Sequence, residues 1–94
     1  MNKDEFLIEI LTISNKKGLH ARAASLFVKQ VEQFDATVWV EKDGQRVSGN
    51  SIMGLMMLAA AKGTQIKVLS CGKQAKAVNK SLSDLINDKF HEEE

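Results

Sequence analysis

The sequence contains no proline, no tyrosine and a single cysteine, Cys71, among its 94 residues. One cysteine excludes an internal disulfide and is typical of a protein in a reducing compartment. Without proline, the turns depend on glycine, asparagine and aspartate. Only Trp39 and four phenylalanines are aromatic, which offers no platform for stacking the bases of a single-stranded nucleic acid.

Neither sign of charge is in excess, because 13 basic and 12 acidic side chains give a formal net charge of +1. This balance argues against binding of nucleic acid or of an anionic membrane surface by bulk charge. The longest hydrophobic stretch, within "SIMGLMMLAAA", falls well short of the roughly 20 residues that a membrane span requires. The N-terminal "MNKDEFLIEI" has mixed charges where a signal peptide needs an apolar stretch. We therefore expect a cytoplasmic protein without nucleic-acid partners or membrane insertion.

Apolar patterning predicts the element order β-α-β-β-α-β-α. Strands are predicted over 6–13, 36–42, 45–49 and 64–70, with Asp43-Gly44 as a hairpin turn. Helices are predicted over 21–34, 51–62 and about 73–90, the last with Val78, Leu82, Leu85 and Ile86 on one stripe. This order indicates an α+β two-layer sandwich with the helices on one face of the sheet. We expect a single domain over 1–94, with its core over about 6–90 and a solvated tail over 91–94.

The stretch "NKKGLHARAAS", residues 15–25, places His20 just before the first predicted helix. The backbone N–H groups of the first turn, those of Ala21 to Ala24, would be unpaired and would favour an anion. Arg22 adds a fixed cation whose planar fork of donors suits phosphate oxygens. A neutral imidazole is a competent nucleophile near pH 7, and a phosphorylated imidazole gives its phosphoryl group up readily. These features predict that His20 accepts a phosphoryl group and passes it on.

Plainer interpretations of the histidine stay open at this point. A lone histidine before a helix is usually a surface residue or a weak cap. His20, Cys71 and His91 lack the spacing of metal ligands, so we expect no metal site. A hydrolase would need a second acid or base, and none lies close in sequence.

The second predicted helix carries more apolar residues than one buried stripe needs. Asn50 or Ser51 is expected to cap its beginning. If Leu55 and Leu58 face the core, then Met53, with Ile52 or Met56, reaches solvent. An exposed patch of isoleucine and methionine suits the docking of several partners, so Ile52, Met53 and Met56 are candidate partner-binding residues. The alternative is a helix that is buried on two sides.

"GLHARAAS", followed by a helix to Phe34, and "NSIMGLMMLAAAKGTQIKV" with the final helix together resemble the HPr family of the bacterial phosphotransferase system. The resemblance covers about residues 6–90, and both motifs occur in the family's order and spacing. It implies an open-faced β-sandwich, with a four-stranded sheet covered on one face by three helices. It also implies that enzyme I phosphorylates His20 on its δ1 nitrogen, with phosphoenolpyruvate as the original donor. Arg22 would contact the phosphoryl group, which then passes to the A component of a permease or regulator.

The resemblance implies a second site at Ser51, which aligns with the serine that HPr kinase/phosphorylase modifies in many bacteria. A phosphate there would act as a brake on transfer through His20, because it places charge on an apolar docking patch. Ala23 stands where most HPr sequences have proline. "HARAA" versions also occur in branches without complete sugar permeases, including the nitrogen-related phosphotransferase system.

The leading hypothesis is therefore a monomeric, stoichiometric phosphocarrier, not an enzyme, that needs no cofactor. The alternative is a regulatory protein-binding module that docks by the Ser51 helix, which includes a nitrogen-type role without sugar transport. A small metal-dependent hydrolase is a distant third.

Overall fold

A computed structural model of the chain describes residues 5–93. Its elements are β1 (Leu7–Thr12), α1 (Ala21–Glu32), β2 (Thr37–Lys42), β3 (Gln45–Ser48), α2 (Ile52–Met57), β4 (Gln65–Cys71), α3 (Ala75–Asn87) and a 3₁₀ turn at Lys89–His91. The predicted order of strands and helices is confirmed, and every predicted strand end lies within one residue of the observed one. Residues 1–4 of the expected domain and Glu94 of the expected tail lie outside the described residues.

The four strands form one antiparallel sheet in the order β1-β4-β2-β3. Side chains alternate between the two faces of a strand, and one set packs with the helices in a single core that includes Val38, Val40, Ile66 and Val68. On the other face, Ile8, Leu69 and Trp39 lie opposite one another across β1, β4 and β2. That face carries no helix among the described residues, so the predicted α+β open-faced sandwich is confirmed.

The predicted apolar stripes of the two long helices face this core. In α1 the buried residues are Ala23, Ala24, Phe27, Val28 and Val31. In α3 they include all four residues predicted for its stripe, Val78, Leu82, Leu85 and Ile86. Burying a large apolar side chain contributes about 1.5–3 kcal/mol, so these stripes fix how α1 and α3 lie on the sheet.

The second helix is shorter than the sequence predicts. It ends at Met57 with Leu58 as its C-cap, rather than near Lys62. Ala59 takes a positive φ of 51°, and the carbonyl of Ala60 accepts a hydrogen bond from the backbone N–H of Leu19 at 2.9 Å. This contact replaces the helical bonds that a run of alanines favours, and it ties the end of α2 to the loop before His20.

The last helix also ends early, at Asn87 instead of about residue 90. Lys89, Phe90 and His91 all have positive φ angles, and Phe90 is completely buried in the core. The chain turns back because the Phe90 side chain enters the core, and this turn carries the following residues toward the start of α1. The expectation of a solvated tail is therefore wrong at Glu92, whose side chain is only 12 % exposed.

Candidate functional site

His20 occupies the N-cap position of α1. Its backbone is extended, and its side chain makes no capping hydrogen bond. Its carbonyl accepts the N–H of Ala24 at 2.8 Å. The first-turn amides left for an anion are therefore those of Ala21 to Ala23, one fewer than the sequence predicts.

The loop before His20 is held in place by close packing against the segment after α2. Gly18 has a φ of +67°, and a Cβ added there would collide with the carbonyl oxygen of Ala60. Leu19, which follows it, is buried. Glycine is needed here because it tolerates the positive φ and has no side chain. The backbone that carries the imidazole is therefore held in one position.

A carboxylate from the far end of the chain meets the imidazole. Oε2 of Glu92 lies 2.6 Å from Nε2 of His20 and 2.5 Å from an Nη2 donor of Arg22. The side-chain amide of Asn15 donates to the other oxygen, Oε1, at 3.0 Å and to the carbonyl of Gly18 at 2.8 Å. The structure thus brings His20 and Arg22 together, as predicted, and adds Asn15 and Glu92.

The ionised form of Glu92 is strongly favoured. Burial by itself raises the pKa of this carboxyl, but hydrogen bonds from His20, Asn15 and Arg22, together with the charge that His20 carries when it is protonated, outweigh it and lower the pKa from 4.5 to about 2. Glu92 is consequently an anion at neutral pH. Since an ionised carboxylate only accepts hydrogen bonds, the Nε2 atom of His20 must be the donor.

The site stays accessible from solvent. The side chains of His20 and Arg22 are 27 % and 53 % exposed, respectively. An open cavity at Arg22 is lined by Lys16, Lys17, Arg22, Glu92 and Glu93. The surface beside Arg22 therefore carries three basic and two acidic side chains.

Asn15 and Glu92 were missed by sequence analysis. Asn15 lies in a polar loop segment, where asparagine is a common turn residue. Only its complete burial in the structure marks it as part of the site. Glu92 is 72 residues from His20, and its sequence context, "HEEE", is typical of a solvated terminus. No local signal identifies either residue.

Residues 5–93 contain no group of three or more His, Cys, Asp or Glu side chains that could hold a metal ion. His91 instead contacts Asp88, with Nδ1 2.5 Å from Oδ2. Within the same residues, no helix has both the length and the apolar character needed to cross a bilayer.

The beginning of α2 forms a second region of interest. Ser51 is the N-cap, and its Oγ accepts the N–H of Gly54 at 2.9 Å. Leu55 and Leu58 are buried, whereas Met53 is 70 % exposed. The predicted exposure is confirmed, and the alternative of a helix buried on two sides is wrong. The exposed residues, called the methionine patch below, are Ile52, Met53, Met56 and Met57, the last of which was not predicted.

Comparison with known proteins agrees with this geometry. Residues 9–88 match the family model described as the PTS HPr component phosphorylation site. A phosphocarrier protein HPr from Neisseria meningitidis serogroup A is 50 % identical over 88 residues, which cover 94 % of this chain and 99 % of the relative. A crystal structure of HPr from Thermoanaerobacter tengcongensis has a TM-score of 0.89 and 42 % identity, covering 94 % of this chain and 99 % of that one.

A crystal structure of an HPr dimer from the same organism is 44 % identical, with a TM-score of 0.74, and covers 87 % of this chain and 94 % of that one. The family match extends across both the histidine loop and the Ser51 helix, and the solved structures share the observed fold. The chain therefore belongs to the HPr family of phosphocarrier proteins.

Proposed function

We propose that this protein carries a phosphoryl group on Nδ1 of His20, between enzyme I and the A component of a permease or regulator. The observation that supports this role most directly is the position of His20 at the N-cap of α1, where it shares the Glu92 carboxylate with Arg22, in a chain of the HPr family. The carrier is phosphorylated by one partner and returns to its free form when it passes the phosphoryl group to the next, so it acts as a stoichiometric intermediate and not as an enzyme.

The transfer uses the lone pair on Nδ1. The nitrogen–phosphorus bond forms as the bond from phosphorus to the donor breaks, and the electron pair of that bond stays with the donor. The phosphoryl oxygens receive hydrogen bonds from the amides of Ala21 to Ala23 and from the guanidinium of Arg22. The amides belong to the helix before the reaction, so they need no rearrangement to stabilise the transferring group. Transfer to the acceptor is the same step in reverse.

The methionine patch is proposed to dock the partners. It is apolar, exposed and built from flexible side chains that adapt to different surfaces. Ser51 lies at its edge, and phosphorylation of its hydroxyl by HPr kinase/phosphorylase would add close to two negative charges. Such a charge disfavours an apolar or acidic partner, so the modification would act as a brake on transfer.

The second candidate function is that of a regulatory module, which binds partners through the methionine patch without transferring phosphate. A nitrogen-type phosphotransferase pathway is one example of such a role. The specific observation in its favour is that this patch is formed by α2, an element that does not carry His20. In either role we propose a cytoplasmic monomer. Size-exclusion chromatography with light scattering measures the oligomeric state.

Intact-mass measurement tests the carrier function. After incubation with phosphoenolpyruvate and enzyme I from the same organism, the protein should gain one phosphoryl group that brief acid treatment removes. His20→Ala should show no gain, whereas His91→Ala, which changes the other histidine, should gain it normally. A wild-type protein that stays unmodified would contradict the proposal. Partner regulation that persists in His20→Ala would favour the module instead.

A further inference from the structure

We infer that Glu92 is a positioning residue for His20, because its carboxylate accepts the Nε2–H and so keeps the lone pair on Nδ1. The same carboxylate then balances the positive charge of the ring once Nδ1 is phosphorylated. The inference rests on the proposed function, and it names a residue of the C-terminal segment as part of the transfer machinery.

The tautomer follows from the hydrogen bond between these two side chains. Glu92 is ionised at neutral pH because its pKa is about 2, and it therefore only accepts hydrogen bonds. Its Oε2 atom lies 2.6 Å from Nε2 of His20. A neutral imidazole carries one N–H, so a donor at Nε2 leaves the lone pair on Nδ1.

The carboxylate is fixed by partners on both sides. Asn15 holds Oε1 through a completely buried side chain, and Arg22 holds Oε2. Two residues earlier, Phe90 anchors the same segment in the core. Glu92 is therefore held by tertiary contacts from three directions, which is what a group needs if it is to orient a second side chain.

Glu92 leaves the phosphoryl-accepting side of the site open. No side chain among residues 5–93 bonds to Nδ1 of His20, and none bonds to the first-turn amides of α1. Glu92 engages Arg22 through one nitrogen only, so other donors of the guanidinium fork remain for phosphoryl oxygens. The geometry accordingly favours a supporting role over a role as an anion that competes for the site.

The charge balance of the reaction gives Glu92 its second role. When Nδ1 uses its lone pair to bond phosphorus, the proton on Nε2 stays in place, and the bond between phosphorus and the donor breaks with its electrons going to the donor. The imidazole ring then carries a positive charge. An opposite charge at hydrogen-bond distance favours this charged form, and Glu92 supplies it.

Nuclear magnetic resonance of the imidazole nitrogens tests the tautomer without any partner. Two-bond proton–nitrogen spectra, recorded where the ring is neutral, should show His20 with its proton on Nε2 and with that proton protected from exchange with water. Glu92→Ala should lose the protection and show exchange between the two tautomers. Glu93→Ala is the matched control, because it removes the adjacent, exposed carboxylate, and it should resemble the wild type.

Transfer kinetics test the consequence. The rate of phosphorylation by enzyme I should fall on the order of tenfold in Glu92→Ala, by analogy with the loss that follows when a metal-binding histidine is deprived of its orienting carboxylate. Glu92→Gln, which keeps an oxygen acceptor but no charge, should retain the Nε2–H signal and give an intermediate rate. Glu93→Ala should react as the wild type does.

Two results would overturn the role of Glu92. One is unchanged protection of Nε2–H in Glu92→Ala, and the other is a Glu92→Ala rate equal to or above that of the wild type, as expected of a competing anion. If neither the wild type nor Glu93→Ala accepts a phosphoryl group, the proposed function fails instead, and the nitrogen spectra still decide whether Glu92 fixes the tautomer.

Discussion

The backbone N–H of Leu19 donates to the carbonyl of Ala60 at 2.9 Å, and this bond connects the residue before His20 to the segment after α2. It lies beside the close approach of Gly18 to Ala60 and Ala61. The histidine loop therefore depends on where α2 ends, and the two regions singled out in the sequence share one piece of backbone.

Gly18→Ala should be strongly destabilising. The substitution places a Cβ against the carbonyl of Ala60 at a φ of +67°, which adds a steric clash of about 1–3 kcal/mol to a backbone strain of about 1–3 kcal/mol. Urea denaturation should show the summed loss in the free energy of unfolding. Gly63→Ala is the control, since its φ is +89° but nothing lies within 4 Å of an added Cβ, and it should lose only the strain. Equal losses in the two variants would refute the clash.

The same contact explains what sequence analysis found and what it missed. Strand ends are encoded by neighbouring residues, so alternation and the Asp43-Gly44 turn located them to within one residue. The end of α2 depends instead on a hydrogen bond from Leu19, which no local pattern of alanines reveals. Glu92 meets His20 across 72 positions, so the position of His20 before α1 was predictable and its contact with Glu92 was not.

The contacts of the C-terminal segment with Asn15, His20 and Arg22 should weaken at low pH. The pKa of Glu92 in the folded protein, about 2, is below its ordinary value of 4.5. A lowered pKa stabilises the folded form above the ordinary value, and this contribution disappears as the pH falls from 4.5 toward 2. The backbone amide chemical shifts of residues near Asn15 and Glu92 should change over this pH range. In Glu92→Ala, the amide shift of Asn15 should no longer show that pH-dependent change. An Asn15 shift that moves identically in both proteins would contradict the prediction.

Ser51→Ala should destabilise the protein by about 1 kcal/mol, because the N–H of Gly54 loses its capping acceptor. Ser51→Asp keeps an acceptor at the cap and should restore most of the stability measured in urea. It also places a negative charge beside the methionine patch, so phosphoryl transfer should be slower in Ser51→Asp than in Ser51→Ala. The reverse order of transfer rates would argue against the braking role of a Ser51 phosphate.

Met53→Asp should slow transfer and leave the fold intact. The Met53 side chain is 70 % exposed, so the change in the free energy of unfolding should stay within about 0.5 kcal/mol. If the methionine patch docks partners, a buried charge at the interface weakens the complex and raises the KM of enzyme I for this carrier. Ile8→Asp is the control, because Ile8 is 58 % exposed on the opposite, helix-free face of the sheet. An equal effect of the two substitutions would mean that the patch is not the docking surface.

Phe90→Ala should lower the stability of the fold and also remove the hydrogen bond of His20 with Glu92. Phe90 is completely buried, so the truncation should lower the free energy of unfolding by about 3–5 kcal/mol. Because Phe90 anchors the segment that carries Glu92, the variant should also lose the protected Nε2–H of His20, as Glu92→Ala does. Phe90→Leu, which keeps an apolar anchor, should lose less stability and retain the signal. A Phe90→Ala protein that is folded and still shows a protected Nε2–H would mean that Asn15 and Arg22 hold the carboxylate without help from the core.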